Sequence, residues 1–162
     1  MTDKTNADRR DLVAQIKNRA LIYMEIYDVL SAEVGAARAE TLLSEAIFQR
    51  GLAAGQSLAR HGPDDLEGLK NDFLANVPGG ADLFAPEVLR CDRDHLEMQL
   101  HGCPLKDAWR EAGLADEKIA VLCRIAGAVD QGLFRGAGFK VENRTWTPGA
   151  KGCCFLSVQR GG

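Results

Sequence analysis

The stretch His95-Leu96-Glu97-Met98-Gln99-Leu100, followed at once by Cys103-Pro104-Leu105-Lys106-Asp107-Ala108-Trp109-Arg110-Glu111, decides the fold class. Leu96, Met98 and Leu100 alternate with His95, Glu97, Gln99 and His101, which is the period of a strand with one polar face. Pro104 then suits a first helical turn, where its missing N–H costs nothing. The sequence predicts a helix from Cys103 through Trp109 to Glu111, ended by Gly113.

Working outward, Glu87–Asp92 reads as a strand joined to His95–Leu100 by a short turn at Arg93-Asp94. Downstream, Asp116 or a neighbour caps a long helix to about Phe134, and Gly136-Ala137-Gly138 breaks it. Phe139–Trp146 and Cys153–Val158 read as two further strands, and Pro148-Gly149 between them favours an antiparallel hairpin. The first half reads differently. Leu12, Ile16, Leu21, Tyr23, Met24, Tyr27 and Leu30 give residues 9–30 a wide apolar face. Ser31 is the expected N-cap of a second helix, or a pair of short ones, to about Arg60. Gly51 and Gly55 weaken that helix and let another backbone come close. His61-Gly62-Pro63 stops it, a short helix follows from Asp64 to about Ala75, and Pro78-Gly79-Gly80 is a loop.

Strands and helices do not alternate as repeated βαβ units, so the expected class is α+β. A helical N-terminal layer, about residues 8–76, is expected to pack on a small antiparallel sheet with a long C-terminal-half helix, about residues 85–160. A chain of 162 residues is expected to be one domain.

Hydrophobic residues make up 46% and charged residues 27%, a globular balance that excludes a disordered chain. The net charge is −3 and no basic stripe interleaves with aromatics, which speaks against nucleic acid as a partner. The polar start, Met1 to Arg10, lacks the apolar core of a secretory signal, and no stretch approaches the roughly 20 apolar residues of a membrane span. The expectation is a cytoplasmic protein with a small-molecule substrate and no membrane partner. The long amphipathic N-terminal helices point to a homo-oligomer by burial need.

Five cysteines, an odd number, all fall after residue 90, and in a reducing compartment they are thiols, ligands or catalytic groups. On the long helix Ile119, Leu122, Cys123, Ala126, Asp130 and Leu133 share one face, with Cys123 and Asp130 about 10 Å apart along the axis. An aspartate on such a stripe either caps or pairs with a neighbour, or it is a catalytic or substrate-orienting carboxylate with a shifted pKa. Cys103, beside a helix N-terminus, is either a small buried apolar residue or a thiol biased toward thiolate. Cys153 and Cys154 are expected to open a strand and so to point to opposite faces. Cys91 reads as structural. Cys103, Cys123 and Cys153, with Asp130 and His101 nearby in sequence, would supply the ligands if a divalent metal were bound, but no CxxC or HxxxH spacing assigns one. No GxSxG elbow, GxxxxGK[ST] loop or strand-borne GxGxxG occurs.

The set Cys103-Pro104-Leu105, Trp109, Gly113, Leu122-Cys123, Asp130, Gly149, Cys153 and Phe155 resembles the pattern of the L-2-amino-thiazoline-4-carboxylic acid hydrolase family, over roughly residues 85–160. The resemblance implies a hydrolase that opens a small cyclic amidine on a route to L-cysteine or a related catabolic route. On this reading the catalytic candidates are Cys123, Asp130, Cys103 and Cys153, and the substrate-binding ones are Trp109 and His101. Ring opening needs a nucleophile at the amidine carbon, a proton for the leaving atom and a cation for the carboxylate, for which Arg124, Arg135 and Arg144 are candidates. The C-terminal layout also resembles the vinyl-reductase-like small-molecule-binding domains, which makes a non-enzymatic cysteine-lined sensor the alternative. A third reading is an oligomerisation protein without a site.

Overall fold

The computed structural model describes the backbone of residues 2–162 and the side chains from residue 6 onward; Met1 of the polar start lies outside the described residues. Two long helices open the chain, α1 (Thr2–Val34) and α2 (Ala36–Gly55). The break between them is Gly35, whose φ of 83° is one that side-chain-bearing residues rarely adopt. This corrects the expected cap at Ser31. Ser31 stays inside α1, its carbonyl accepts the Gly35 N–H at 3.0 Å, and its own hydroxyl is buried without a partner among the described residues. A serine among good helix formers does not end a helix that still has an apolar face to bury; a left-handed glycine does.

The chain runs from α2 into a 3-10 turn, Gln56–His61, which stops ahead of Gly62-Pro63 as the sequence predicts. Helix α3 (Leu66–Asn76) is capped by Asp65, whose carboxylate accepts the Gly68 N–H at 2.9 Å. Strands β1 (Pro86–Cys91) and β2 (His95–Leu100) form an antiparallel pair, and β2 has the expected alternation: Leu96, Met98 and Leu100 are buried and the residues between them half-buried. Then come α4 (Pro104–Glu111), with Pro104 in its first turn, and α5 (Asp116–Gly136). Strands β3 (Lys140–Arg144) and β4 (Phe155–Gln159) complete one antiparallel sheet of order β1-β2-β4-β3. The class is α+β, as the order of strands and helices in the sequence implies.

Glycine sets how close the two layers come. A Cβ on Gly51 would lie 2.3 Å from the Val129 carbonyl and 2.9 Å from the Gly132 Cα, and one on Gly132 would lie 2.2 Å from the Phe48 carbonyl. So α2 and α5 cross backbone against backbone, and the close approach expected at Gly51 and Gly55 has its counterpart on α5. Gly132 and Gly136 are therefore packing residues inside α5, and the helix stop lies beyond them, at Gly138 with a φ of 93°.

Two apolar clusters result. One joins α1, α2, α4 and α5 through Ile16, Ala20, Trp109, Leu122 and Ile125. The other lies between the sheet, α3 and the end of α5, through Leu69, Met98, Phe134, Leu156 and Val158. Cys103 touches both. Among the described residues no helix is long and apolar enough to cross a membrane.

Candidate functional site

Where the two clusters meet, a cavity of about 560 Å³ opens. Its walls come from both halves of the chain: Arg19 and Tyr23 of α1, Arg60 at the end of the 3-10 turn, Asp72 and Phe73 of α3, Trp109 of α4, and Cys123 and Asp130 of α5. Cys103, Cys153 and Cys154 line it too. That volume is in the range of pockets for small organic ligands.

Helical spacing puts Cys123 and Asp130 on one face of α5, and the fold turns that face into the cavity. Cys103 is the N-cap residue of α4, where the chain leaves β2. Cys153 and Cys154 arrive from the other side. Backbone bonds between Cys153 N and Leu100 O, at 2.9 Å, and between Leu100 N and Cys154 O, at 2.8 Å, hold them beside the end of β2. The expectation that these two thiols face opposite ways fails, because β4 begins only at Phe155 and Gly152 reverses the chain at a φ of 73° just before them. Both are buried, and their sulfurs lie 3.3 Å apart. Lys106, itself buried, reinforces the arrangement by donating from Nζ to the Gly152 carbonyl.

Cys103, Cys123 and Cys153 are held protonated. A hydrogen bond with Cys153, followed by burial, pushes Cys103 well above the ordinary thiol value, while the Lys106 and Leu105 amides pull the other way and lose. The helix N-terminus is thus present but outweighed, which corrects the expected thiolate bias. At Cys153 the hydrogen bond with Cys103 lowers the pKa, and the bond with Cys154 and burial raise it further than that. Burial pushes Cys123 up to about 12, opposed by the charges of Lys106, Arg110 and Arg124. Cys123 is the cavity thiol whose shift involves no thiol–thiol hydrogen bond.

Asp130 shifts in the same sense and for the same reason, burial of a group that would carry a negative charge. Desolvation raises its carboxyl to about 7, and the charge of Arg19 holds it back. Its contact with another side chain is a long 3.5 Å approach from Asn143 Nδ2, which gives its better bond, 3.0 Å, to the Gly127 carbonyl. Among the described residues no cation lies within 4 Å of it. The bland alternative, a capping or ion-paired aspartate, is not what the structure holds.

Several expected residues are elsewhere. His101 is half-exposed, with Nε2 2.7 Å from Glu87 Oε2 on the far side of β2, and it does not line the cavity; a residue one step beyond Leu100 faces the other way. Trp109 is fully buried and lines the cavity, but its indole N–H is spent on the Ala20 carbonyl at 2.8 Å, so it acts as wall and as the tie between α4 and α1. Arg124 forks onto Glu40 at 2.7 and 3.1 Å, Arg144 stacks on Phe155, Arg135 lies over Phe48, and none of the three reaches the cavity. Cys91 is exposed and apart. Among the described residues no three histidine, cysteine, aspartate or glutamate side chains converge on a point where a metal ion would sit. The conditional ligand set Cys103, Cys123 and Cys153 lines the cavity but is not gathered that way.

The sequence reading missed Arg19, Tyr23, Arg60, Asp72 and Cys154. Arg19 had a signal of the kind that exposed Asp130, since it lies three residues after Ile16 and four before Tyr23 on the face of α1 that packs inward. Asp72 and Arg60 had none, because only tertiary packing brings α3 to the cavity.

The model of one protein family, described as L-2-amino-thiazoline-4-carboxylic acid hydrolase, matches residues 14–156. The match reaches back through the helical half, beyond the motif-bearing residues. No curated protein matches the chain.

Proposed function

Since the chain belongs to the L-2-amino-thiazoline-4-carboxylic acid hydrolase family, we propose that it hydrolyses a small cyclic amidine of the 2-amino-thiazoline-4-carboxylate type in the cavity between its two clusters. One observation carries the reading: a carboxyl with a pKa near 7 and four thiols, from three separate parts of the chain, line a single small cavity.

In such a substrate, carbon 2 is bonded to sulfur and two nitrogens and is electrophilic. Its protonated amidine is a planar cation that complements an ionised Asp130. The same cation favours thiolate at the cavity wall. Cys123 is the nucleophile in this proposal, because its sulfur is not engaged by another thiol and three cations already oppose the effect of burial. Its sulfur adds to carbon 2, and the ring sulfur, the weaker base of the two ring leaving atoms, departs with the proton. The amidine carbon is then held on Cys123 as an isothiourea. Asp130 takes a proton from water, which adds to that carbon, and Cys123 leaves and recovers its proton. The net change is one water added and one ring bond broken, giving an open-chain ureido acid with a thiol. An Asp130 pKa near ambient pH suits both halves of this cycle.

The test is turnover of L-2-amino-thiazoline-4-carboxylate followed by chromatography and mass spectrometry. Cys123→Ala is expected to abolish ring opening. Asp130→Asn is expected to slow release about 100-fold or more and to leave substrate-derived mass on Cys123. Turnover that survives Cys123→Ala would remove the thiol from the nucleophile's role, and no turnover by the folded wild type would remove this substrate.

The same proposal includes assembly as a homo-oligomer in the cytoplasm. Ile22, Ile26 and Val29 are exposed at one-turn spacing on the outer face of α1. A twofold antiparallel pairing of two copies of α1 sets Ile22 against Ile26 of the other copy, a self-complementary contact.

A further inference from the structure

The cavity wall carries charges of both signs. Among the described residues two cations line the cavity, Arg19 and Arg60. Arg60 is taken: its guanidinium pairs with Asp72, which His61 also holds through Nε2 at 2.6 Å. Arg19 has no carboxylate within 4 Å among the described residues. The backbone that carries it is fixed all the same. Ile16 and Ala20 on either side of it are buried, and the Trp109 indole clamps the Ala20 carbonyl, so α1 cannot rotate without breaking that bond. Tyr23, one turn on, lines the cavity beside it. The guanidinium is close enough to favour the ionised form of Asp130. The rest of the wall is largely apolar or thiol, and offers an anion nothing better.

We propose that Arg19 is the anion anchor of the cavity: it binds the carboxylate of a substrate whose cationic amidine end rests on Asp130, and it thereby selects zwitterionic amidino acids over neutral or purely cationic amidines. This deepens the hydrolase reading and rests on it for the identity of the cationic end. Arg19 forks two N–H groups onto the carboxylate, a geometry a lysine does not reproduce. With both ends held, the amidine carbon is directed at the thiol wall. The sequence candidates Arg124, Arg135 and Arg144 are replaced by a residue from the opposite half of the chain.

Equilibrium binding tests the anchor without requiring turnover. The probes are 2-aminothiazole-4-carboxylate, an aromatic analogue that resists ring opening, and 2-aminothiazole, which lacks the carboxylate. Titration calorimetry on wild type, Arg19→Gln, Arg19→Lys and Arg60→Gln is expected to show the carboxylate probe preferred about 10- to 100-fold by the wild type. Arg19→Gln should erase that preference, Arg19→Lys should restore part of it, and Arg60→Gln should keep it. Circular dichroism checks that each variant is folded, which is expected because Arg19 is exposed on its helix. With the thiazoline substrate, Arg19→Gln should raise KM far more than it lowers kcat. A preference that survives Arg19→Gln, one that vanishes with Arg60→Gln instead, or a wild type that binds neither probe overturns the proposal. Arg19-dependent binding by a wild type that opens no ring would keep the anchor and sink the hydrolase reading.

Discussion

Asp130 lies on α5 facing a cavity instead of solvent, and its protonation is coupled to folding as well as to chemistry. In the unfolded chain its carboxyl titrates near the ordinary 3.8, and in the folded protein near 7. Between those values the native state holds a proton that the unfolded state has lost, so stability from this group falls as pH rises from about 4 to about 7 and stays low above that. The groups that face it are Arg19 from α1, which favours the anion, and Asn143 from β3, with Arg60 and Asp72 across the cavity. Asp130→Asn removes the ionised form. The variant is expected to melt about 2–8 °C above the wild type at pH 8, on the order of 1–2 kcal/mol, with a smaller gain at pH 5. Thermal unfolding at the two pH values reads it out. An equal gain at both would show that Asp130 titrates like an exposed carboxylate. That Asp130 and Cys123 share a face was legible in the sequence, because helical spacing is a local property. That Arg19 opposes Asp130 was not, since no periodicity relates α1 to α5.

At the scale of elements, the contact that positions the cavity is the crossing of α2 on α5. Replacing a mid-helix glycine by alanine usually stabilises a helix by up to about 1 kcal/mol. Here the added methyl meets backbone, with the Phe48 carbonyl 2.2 Å and the Leu52 nitrogen 2.8 Å from a Cβ on Gly132. Backbone cannot rotate aside as a side-chain tip can, so steric cost decides the sign. Gly132→Ala is expected to lose about 2–4 kcal/mol in denaturant unfolding and to shift Asp130, two residues earlier on the same helix. A neutral or stabilising result would mean that the two helices part easily. The glycines of α2 announced a close approach, while those of α5 read as a stop signal, because a sequence shows that a glycine is present and not what lies against it. The ends of β3 and β4 were misplaced for a related reason: Trp146 and Cys153-Cys154 have strand-like composition, but Trp146 packs into the helical cluster and Gly152 bends the chain before the cysteines.

At the scale of the whole molecule, the α+β class followed from the order of elements, and the cavity did not, because its walls come from residues 19 to 154. Neither half makes it alone. The two apolar clusters share Cys103 and are spanned by α5, whose first part packs with α1 and α4 and whose end packs against the sheet. Losing either cluster strips one face of α5, so the chain is expected to unfold as a single unit. Tryptophan fluorescence reports the helical cluster, which holds both Trp109 and Trp146, and hydrogen exchange at β2 and β4 reports the sheet. The two should share one denaturation midpoint. Separate midpoints would make residues 2–76 and 86–159 independent units. The same experiment addresses assembly. If the exposed stripe of Ile22, Ile26 and Val29 is covered by a second copy, folding and association are linked, and the midpoint must rise with protein concentration by mass action. It should rise over a 100-fold concentration series, and Ile26→Glu should flatten that dependence by placing a charge at the centre of the contact. A midpoint independent of concentration in the wild type would leave α1 facing solvent and the cavity the property of a monomer.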